Sequence, residues 1–280
     1  MALTAALQDG LRRDPLTAGT LGFILAVCVV ALLGPVFMLH DPLATDAANA
    51  LRPPSWRSPC GTDQVGRDIC TRIVYATRLD LFIALSAVAL ALVVGSLIGS
   101  LAGFFGGWVD RIAMWAVDTI MAFPLFLLAM GIVAALGNSI ENIVYATAIV
   151  NVPFYARTVR AEINQRREAG FVEAARISGN GPFRILAYHL FPTTVPQLAI
   201  QMTLTMGWAI LNAAALSFIG LGIRPPTPEW GIMVAEGANF VITGEWWLAL
   251  FPGLALVLVV LSLNLLGDGL RDMIDARERR

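Results

Sequence analysis

The stretch EAARISGNGPFRILAYHLFP, residues 173–192, interrupts an apolar chain with acid, base, a Gly-Asn-Gly-Pro break and a histidine. Its local pattern predicts two short helices. Residues 170–178 are helix-compatible, and Gly179 suits the left-handed position just past a helix end. Asn180 and Gly181 turn the chain, and Pro182 suits the first position of a second helix. Phe183, Leu186, Ala187 and Leu190 follow at i, i+3, i+4 and i+7, which makes one apolar stripe. Pro192 is expected to stop that helix. The small Ala174 and Ala175 would permit close approach by another surface. The residues alone leave two readings open. One is a solvated loop with Glu173 and Arg176 as a surface pair, worth roughly a few tenths of a kcal/mol. The other is an element made for a partner.

The flanks decide where this insert sits. The chain is 57% hydrophobic and 14% charged, with mean hydropathy +0.72. A soluble domain is about 45–50% apolar and about 25% charged, so a membrane is the expected solvent. The net charge of −1 gives no sign of nucleic acid, and all 19 basic residues are arginine. Residues 19–39, 81–109, 193–222 and 247–266 contain no Asp, Glu, Lys or Arg, and 112–136 contains only Asp118. A weaker run, 136–156, is interrupted by Glu141, Asn151 and Pro153. A span needs about 20 apolar residues, and continuous runs without alternation exclude barrel strands. Six transmembrane helices are expected, in an all-α integral membrane protein. The first run is too long for a signal-peptide core and is expected to be retained.

Arginine placement orients them. With both termini inside, the cytoplasmic segments hold Arg12, Arg13, Arg111, Arg157, Arg160, Arg166, Arg167, Arg176, Arg184, Arg271, Arg277, Arg279 and Arg280. That is 13, against six outside: Arg52, Arg57, Arg67, Arg72, Arg78 and Arg224. The excess inside places the insert in the cytoplasm.

Catalytic chemistry is not encoded. Gly61 and Gly66 have the glycine spacing of a phosphate loop, but Arg67 and Asp68 stand where Lys and Ser/Thr are required. There is no Cys-x-x-Cys motif, no Ser nucleophile elbow and no histidine cluster, since His189 and His40 fall on opposite faces. No enzyme activity, metal or cofactor is expected of this chain. Asp118 is an ionisable group within a span, and such groups are functional candidates. The alternative is a structural pair with Arg111 or an insert arginine. Asn212, Gln201 and Met206 lie in the fifth span. Asn212 and Met206 are candidates for a translocation path, and Gln201 reads as helix packing.

Beyond these readings, five segments together resemble one family. Glu173-Ala-Ala, Gly179, Ile185, His189 and Pro192 are similar to the EAA loop of binding-protein-dependent ABC importer permeases. GTDQVGRD (61–68), with Arg78 and Leu81 beyond it, resembles a signature of the branch that carries dipeptides, oligopeptides and nickel. GGWVDRIAMWAVDTIMAFP (106–124), LSFIGLGIRPPTPEWG (216–231) and LNLLGDGLRDMIDAR (263–277) resemble that branch as well.

The resemblance implies a type I ABC importer permease fold with a cytoplasmic helix–turn–helix coupling insert. Residues 1–80 would hold the N-terminal tail, first span and external loop. Residues 81–270 would form the transmembrane core, with the coupling loop at about 157–195, and 271–280 a cytoplasmic tail. Glu173, Ala174, Ala175, Gly179 and Ile185 would couple to an ATPase. The implied partners are a paralogous permease forming a heterodimer, two cytoplasmic ABC ATPase subunits, an extracytoplasmic solute-binding protein and membrane lipid. The implied location is the bacterial inner membrane, multi-pass. Small peptides are the expected cargo, with nickel complexes or glutathione as alternatives. An ion-coupled secondary transporter is the alternative of a different class, but it should show paired ionisable groups or an internal repeat.

Two further expectations concern the external face. Cys60 and Cys70 depart from the family pattern, and an external compartment permits either a disulfide or two free thiols. Pro225, Pro226, Pro228 and Trp230, together with part of 40–80, are expected to face the binding protein, with Trp230 at the membrane interface.

Overall fold

The computed structural model describes residues 14–38 and 41–278. Arg12, Arg13, His40, Arg279 and Arg280 lie outside them. The described residues form ten α-helices: α1 Pro15–Phe37, α2 Ile69–Phe105, α3 Gly107–Met121, α4 Leu125–Leu136, α5 Ile140–Arg166, α6 Gly170–Ile177, α7 Pro182–Ile185, α8 Val195–Phe218, α9 Trp230–Ala238 and α10 Trp247–Glu278.

The centre of the bundle is the pair α2 and α5, which pack along most of their length. Gly95, Gly99 and Gly103 recur every four residues on α2, so they share one face. A Cβ there would stand 2.6 Å from the Val152 carbonyl oxygen, 2.3 Å from that of Ala156 and 2.8 Å from that of Arg160. The helices meet backbone to backbone, a contact only small residues allow. Around this seam, α8 packs on α10, α9 packs on both, and α1 lies against α2 and α10 with most of its side chains exposed. Such an apolar outer surface suits lipid.

Four helical stretches are long and apolar enough to cross a membrane: Pro15–Phe37, Ile69–Phe105, Pro182–Phe218 and Trp247–Ile274. A fifth would be α3 with α4, which are bent by 87°. The run 112–136, expected as one span, is therefore two helices. Pro124 explains the break, because it lacks an N–H and pushes the residue before it out of the helical region. Pro192, conversely, does not stop the second insert helix. After α7 the chain widens into a π turn at Leu186–Leu190, tightens into a 3₁₀ turn at Phe191–Thr194 and runs on into α8. The widened turn relieves the clash a proline ring makes with the carbonyl four residues back. The last apolar run also extends beyond its expected end, as α10 continues to Glu278.

Candidate functional site at the two ends of the bundle

At one end lies the insert. The α6 helix closes in a Schellman motif. Gly179 has φ +82°, its N–H bonds the Arg176 carbonyl at 2.9 Å, and the Asn180 N–H bonds that of Ala175 at 3.1 Å. The Asn180 side chain reaches the same carbonyl at 3.0 Å, so sequence and geometry agree at the turn. Val172, Ala175, Ile185, Leu186 and Leu190 are buried. Ala175 and Ile185, expected as contact residues, are thus 6% and 2% exposed and support the surface from beneath. Glu173, Ala174 and Gly179 are exposed. Beside them stand Phe171, Ile177, Phe183 and Tyr188, all large and exposed. Of the expected stripe, Leu186 and Leu190 face inward, whereas Phe183 and Ala187 face out.

Phe183 rests edge-on against Phe105, the last residue of α2, at 5.7 Å between ring centroids. Ion pairs brace this end. Arg160 holds Asp110 with two nitrogens, and Arg157 Nη2 donates to Asp118 Oδ1 at 2.6 Å. Asp118 therefore pairs with α5, not with Arg111, whose guanidinium lies 5.0 Å over the Trp108 ring.

At the other end of α2, about 55 Å away at 1.5 Å per residue, segments 41–68 and 219–246 meet in a cap. The GTDQVGRD signature is its framework. Asp63 Oδ1 accepts the backbone N–H groups of Val65 at 3.0 Å and Arg67 at 2.9 Å. Its Oδ2 accepts Arg67 Nε at 2.6 Å and Arg72 Nη1 at 2.5 Å. Arg72 Nη2 lies 3.5 Å from Glu236 on α9. The Trp247 indole donates to the Thr62 carbonyl at 3.2 Å, and Asp68 caps α2 through the Thr71 N–H at 2.8 Å. Cys60 and Cys70 have Cα atoms 5.3 Å apart and are joined, which ties the loop to the first turn of α2.

The second loop is anchored by acids. Glu229 caps α9, accepting the N–H groups of Gly231 and Ile232 at 2.8 Å each. Burial pushes its carboxyl up, opposed first by the Ile232 and Gly231 N–H groups. The Trp230 N–H donates to Asp80 Oδ2 at 3.1 Å, and its indole to the Ile73 carbonyl at 3.3 Å. Trp230 is 1% exposed, so it is an anchor of the cap and not an interface residue. Arg224, Pro225, Pro226 and Thr227 are exposed, as is Trp56 in the first loop.

Between the ends, α8 does not bring the path candidates together. Met206 and Asn212 are both half-buried, but six residues at about 100° each put them some 120° apart around the helix. Asn212 Nδ2 donates back to the Trp208 carbonyl at 3.0 Å. Arg72, Glu236, Asp80 and Glu229, which hold the cap, did not stand out in the sequence by role.

The family model for the "Binding-protein-dependent transport system inner membrane component" matches residues 95–280. The chain belongs to that family. This inner membrane component is 41% identical to the dipeptide transport system permease protein DppC of Alkalihalophilus pseudofirmus, over 95% of the chain and 88% of the relative. It is 39% identical to the probable D,D-dipeptide transport system permease protein DdpC of Escherichia coli, over 95% and 89%. It is 38% identical to the glutathione transport system permease protein GsiD of Pectobacterium atrosepticum, over 91% and 85%. Among solved structures, an inward-facing MetNI methionine ABC transporter chain matches with TM-score 0.58 at 18% identity, covering 72% of this chain and 96% of that one. That likeness concerns the fold.

Proposed function

We propose that this component is the permease subunit of an ATP-driven importer and forms, with a paralogous permease, the path for small peptides across the bacterial inner membrane. The relatives named for dipeptide transport, matched over nearly their whole length, carry the peptide reading. The relative named for glutathione transport keeps a second cargo in view. Six spans follow if the bent pair α3–α4 counts as one and α5 as another. At 27 residues α5 is about 40 Å long. It needs no apolar exterior, because α2, α4 and α8 cover much of it. With both termini cytoplasmic, the insert lies inside and the cap outside.

The insert is then the ATPase-docking element. Its support is the exposed set Phe171, Glu173, Ala174, Ile177, Phe183 and Tyr188, set on a capped turn and braced against the end of α2. ATP-driven motion of a docked partner would reach the helices through that brace. The cap would receive the solute-binding protein through Trp56, Arg224 and Thr227, with Asp63 and Glu229 buried beneath as supports.

The test is growth on a dipeptide as sole source of a required amino acid. Cells lacking this gene should fail and the restored gene should rescue them. Glu173→Lys should insert normally yet reduce uptake and ligand-stimulated ATP hydrolysis. Rescue without any change in dipeptide uptake would refute the peptide reading, and wild-type hydrolysis in Glu173→Lys the coupling reading.

A further inference from the structure

Asp80 and Glu229 present a chemical problem that the transport reading leaves untouched. Asp80 on α2 is 3% exposed and Glu229, at the start of α9, is 1% exposed. Their carboxyl groups are in hydrogen-bonding contact with each other. The groups around them are known from each packed element. From α9 come the N–H of Trp230 to Asp80 and those of Gly231 and Ile232 to Glu229. From α8 comes the Ser217 hydroxyl, which bonds Glu229. Among the described residues, no arginine or histidine bears on either carboxyl.

A carboxylate offers only acceptors, so two carboxylates have nothing to exchange but repulsion. Out of water, adjacent like charges without a cation are strongly disfavoured, and such pairs resolve by keeping one proton between them. The surrounding donors fit that outcome. Three N–H groups and a hydroxyl suit one negative charge on the pair, and the acid proton supplies the remaining donor. We infer that Asp80 and Glu229 share a single proton held between their carboxyl groups, and that this proton pins the start of α9 and the loop before it to α2. It is a proton site at the base of the cap. It requires no assumption about cargo, so it can fail while the transport reading stands, and the reverse.

Linkage gives the sign. The unfolded chain ionises both groups at neutral pH, while the folded chain keeps one proton. Stability therefore falls as pH rises, by about tenfold in the folding equilibrium constant per pH unit for one proton. The fall begins above the ordinary carboxyl range and ends where the pair loses its proton.

Two measurements on the purified full chain in nanodiscs test this. Infrared spectra of the unaltered protein at neutral pH should show the C=O stretch of a buried carboxylic acid, lost in one step at high pH. Asp80→Asn mimics the protonated acid, since its amide can donate to Glu229 and its oxygen can accept from Trp230. That variant should lose the band, match the unaltered protein at the acid end, where the unfolded chain is protonated too, and lose one proton's worth of the slope above it, so that it is the more stable of the two at neutral pH. An exposed control, Glu245→Gln, should keep both band and slope. The absence of a carboxylic-acid band from the unaltered protein, or its persistence in Asp80→Asn, overturns the proposal. So does an Asp80→Asn variant that keeps the unaltered protein's alkaline slope, since that would mean the pair had held no proton.

Discussion

Gly99→Ala adds one methyl group where α2 touches α5, and the structure says what it meets. The new Cβ would stand 2.3 Å from the Ala156 carbonyl oxygen and 3.1 Å from both its carbonyl carbon and its Cα. These are backbone atoms of a helix, so no rotamer change relieves the overlap. Ordinary contact starts near 3.4 Å, so the helices must part locally by about 1 Å, a gap that forfeits a large share of the dispersion along the seam. Overpacking of this kind costs about 1–3 kcal/mol. Helix propensity acts oppositely, since replacing a mid-helix Gly by Ala gains roughly 0.5–1 kcal/mol. The net expectation is a loss of about 1–2 kcal/mol. Gly22→Ala on α1, with nothing within 4 Å of the new Cβ, supplies the control and should be neutral or stabilising. Unfolding by SDS in mixed micelles, followed by tryptophan fluorescence, measures both. A Gly99→Ala variant as stable as the unaltered chain would refute the close-packed seam.

Further outcomes follow from the two ends. Gly179→Val imposes a branched side chain at φ +82°. It should strain the turn by about 1 kcal/mol or more, with no collision, because nothing lies within 4 Å. The spans should still insert, while retained ATPase subunit and stimulated hydrolysis fall; unchanged values would exclude the insert from coupling. Cys60→Ser removes a link across ten residues and should cost about 2–3 kcal/mol in non-reducing conditions; full maleimide labelling of both thiols without reductant would show there is no link to lose. Arg72→Met removes one of the two buried guanidiniums that face Asp63 and Glu236, leaving Arg67 as the other, and should destabilise by about 3 kcal/mol. Asp118→Asn breaks an exposed pair and should cost under about 1 kcal/mol; lost uptake at unchanged stability would mean Asp118 serves the path. A reporter fused near Thr45 should read external and one at 160–170 cytoplasmic, and the opposite pattern would invert the bundle.

What the sequence shows and what it hides divide along physical lines. Charge-free runs mark α1, α2, α8 and α10 because lipid makes the same demand of every exposed side chain. The turn at Gly179–Pro182 is legible because left-handed geometry and a helix start restrict residue choice locally. Three features escape, two of them because they depend on a distant neighbour and one because the helix changes its winding. Glu141, Asn151 and Arg157 make α5 look like a poor span, yet its neighbours supply what lipid cannot. Asn151 is satisfied within α5 itself, donating to the Thr147 carbonyl at 2.7 Å, while Arg157 finds Asp118 across the helix pair. Pro192 reads as a stop only if the helix ahead of it must stay α-helical; the chain widens instead and keeps going. The acids Asp80 and Glu229, 149 positions apart, look like two loop charges until α9 folds onto α2 and buries both. Even the seam was open to inspection, because Gly95, Gly99 and Gly103 stand at a period of four. Sequence spacing puts them on one face of α2. Only the partner helix reveals that the face is pressed against backbone, which turns three permissive residues into the least replaceable positions of the bundle.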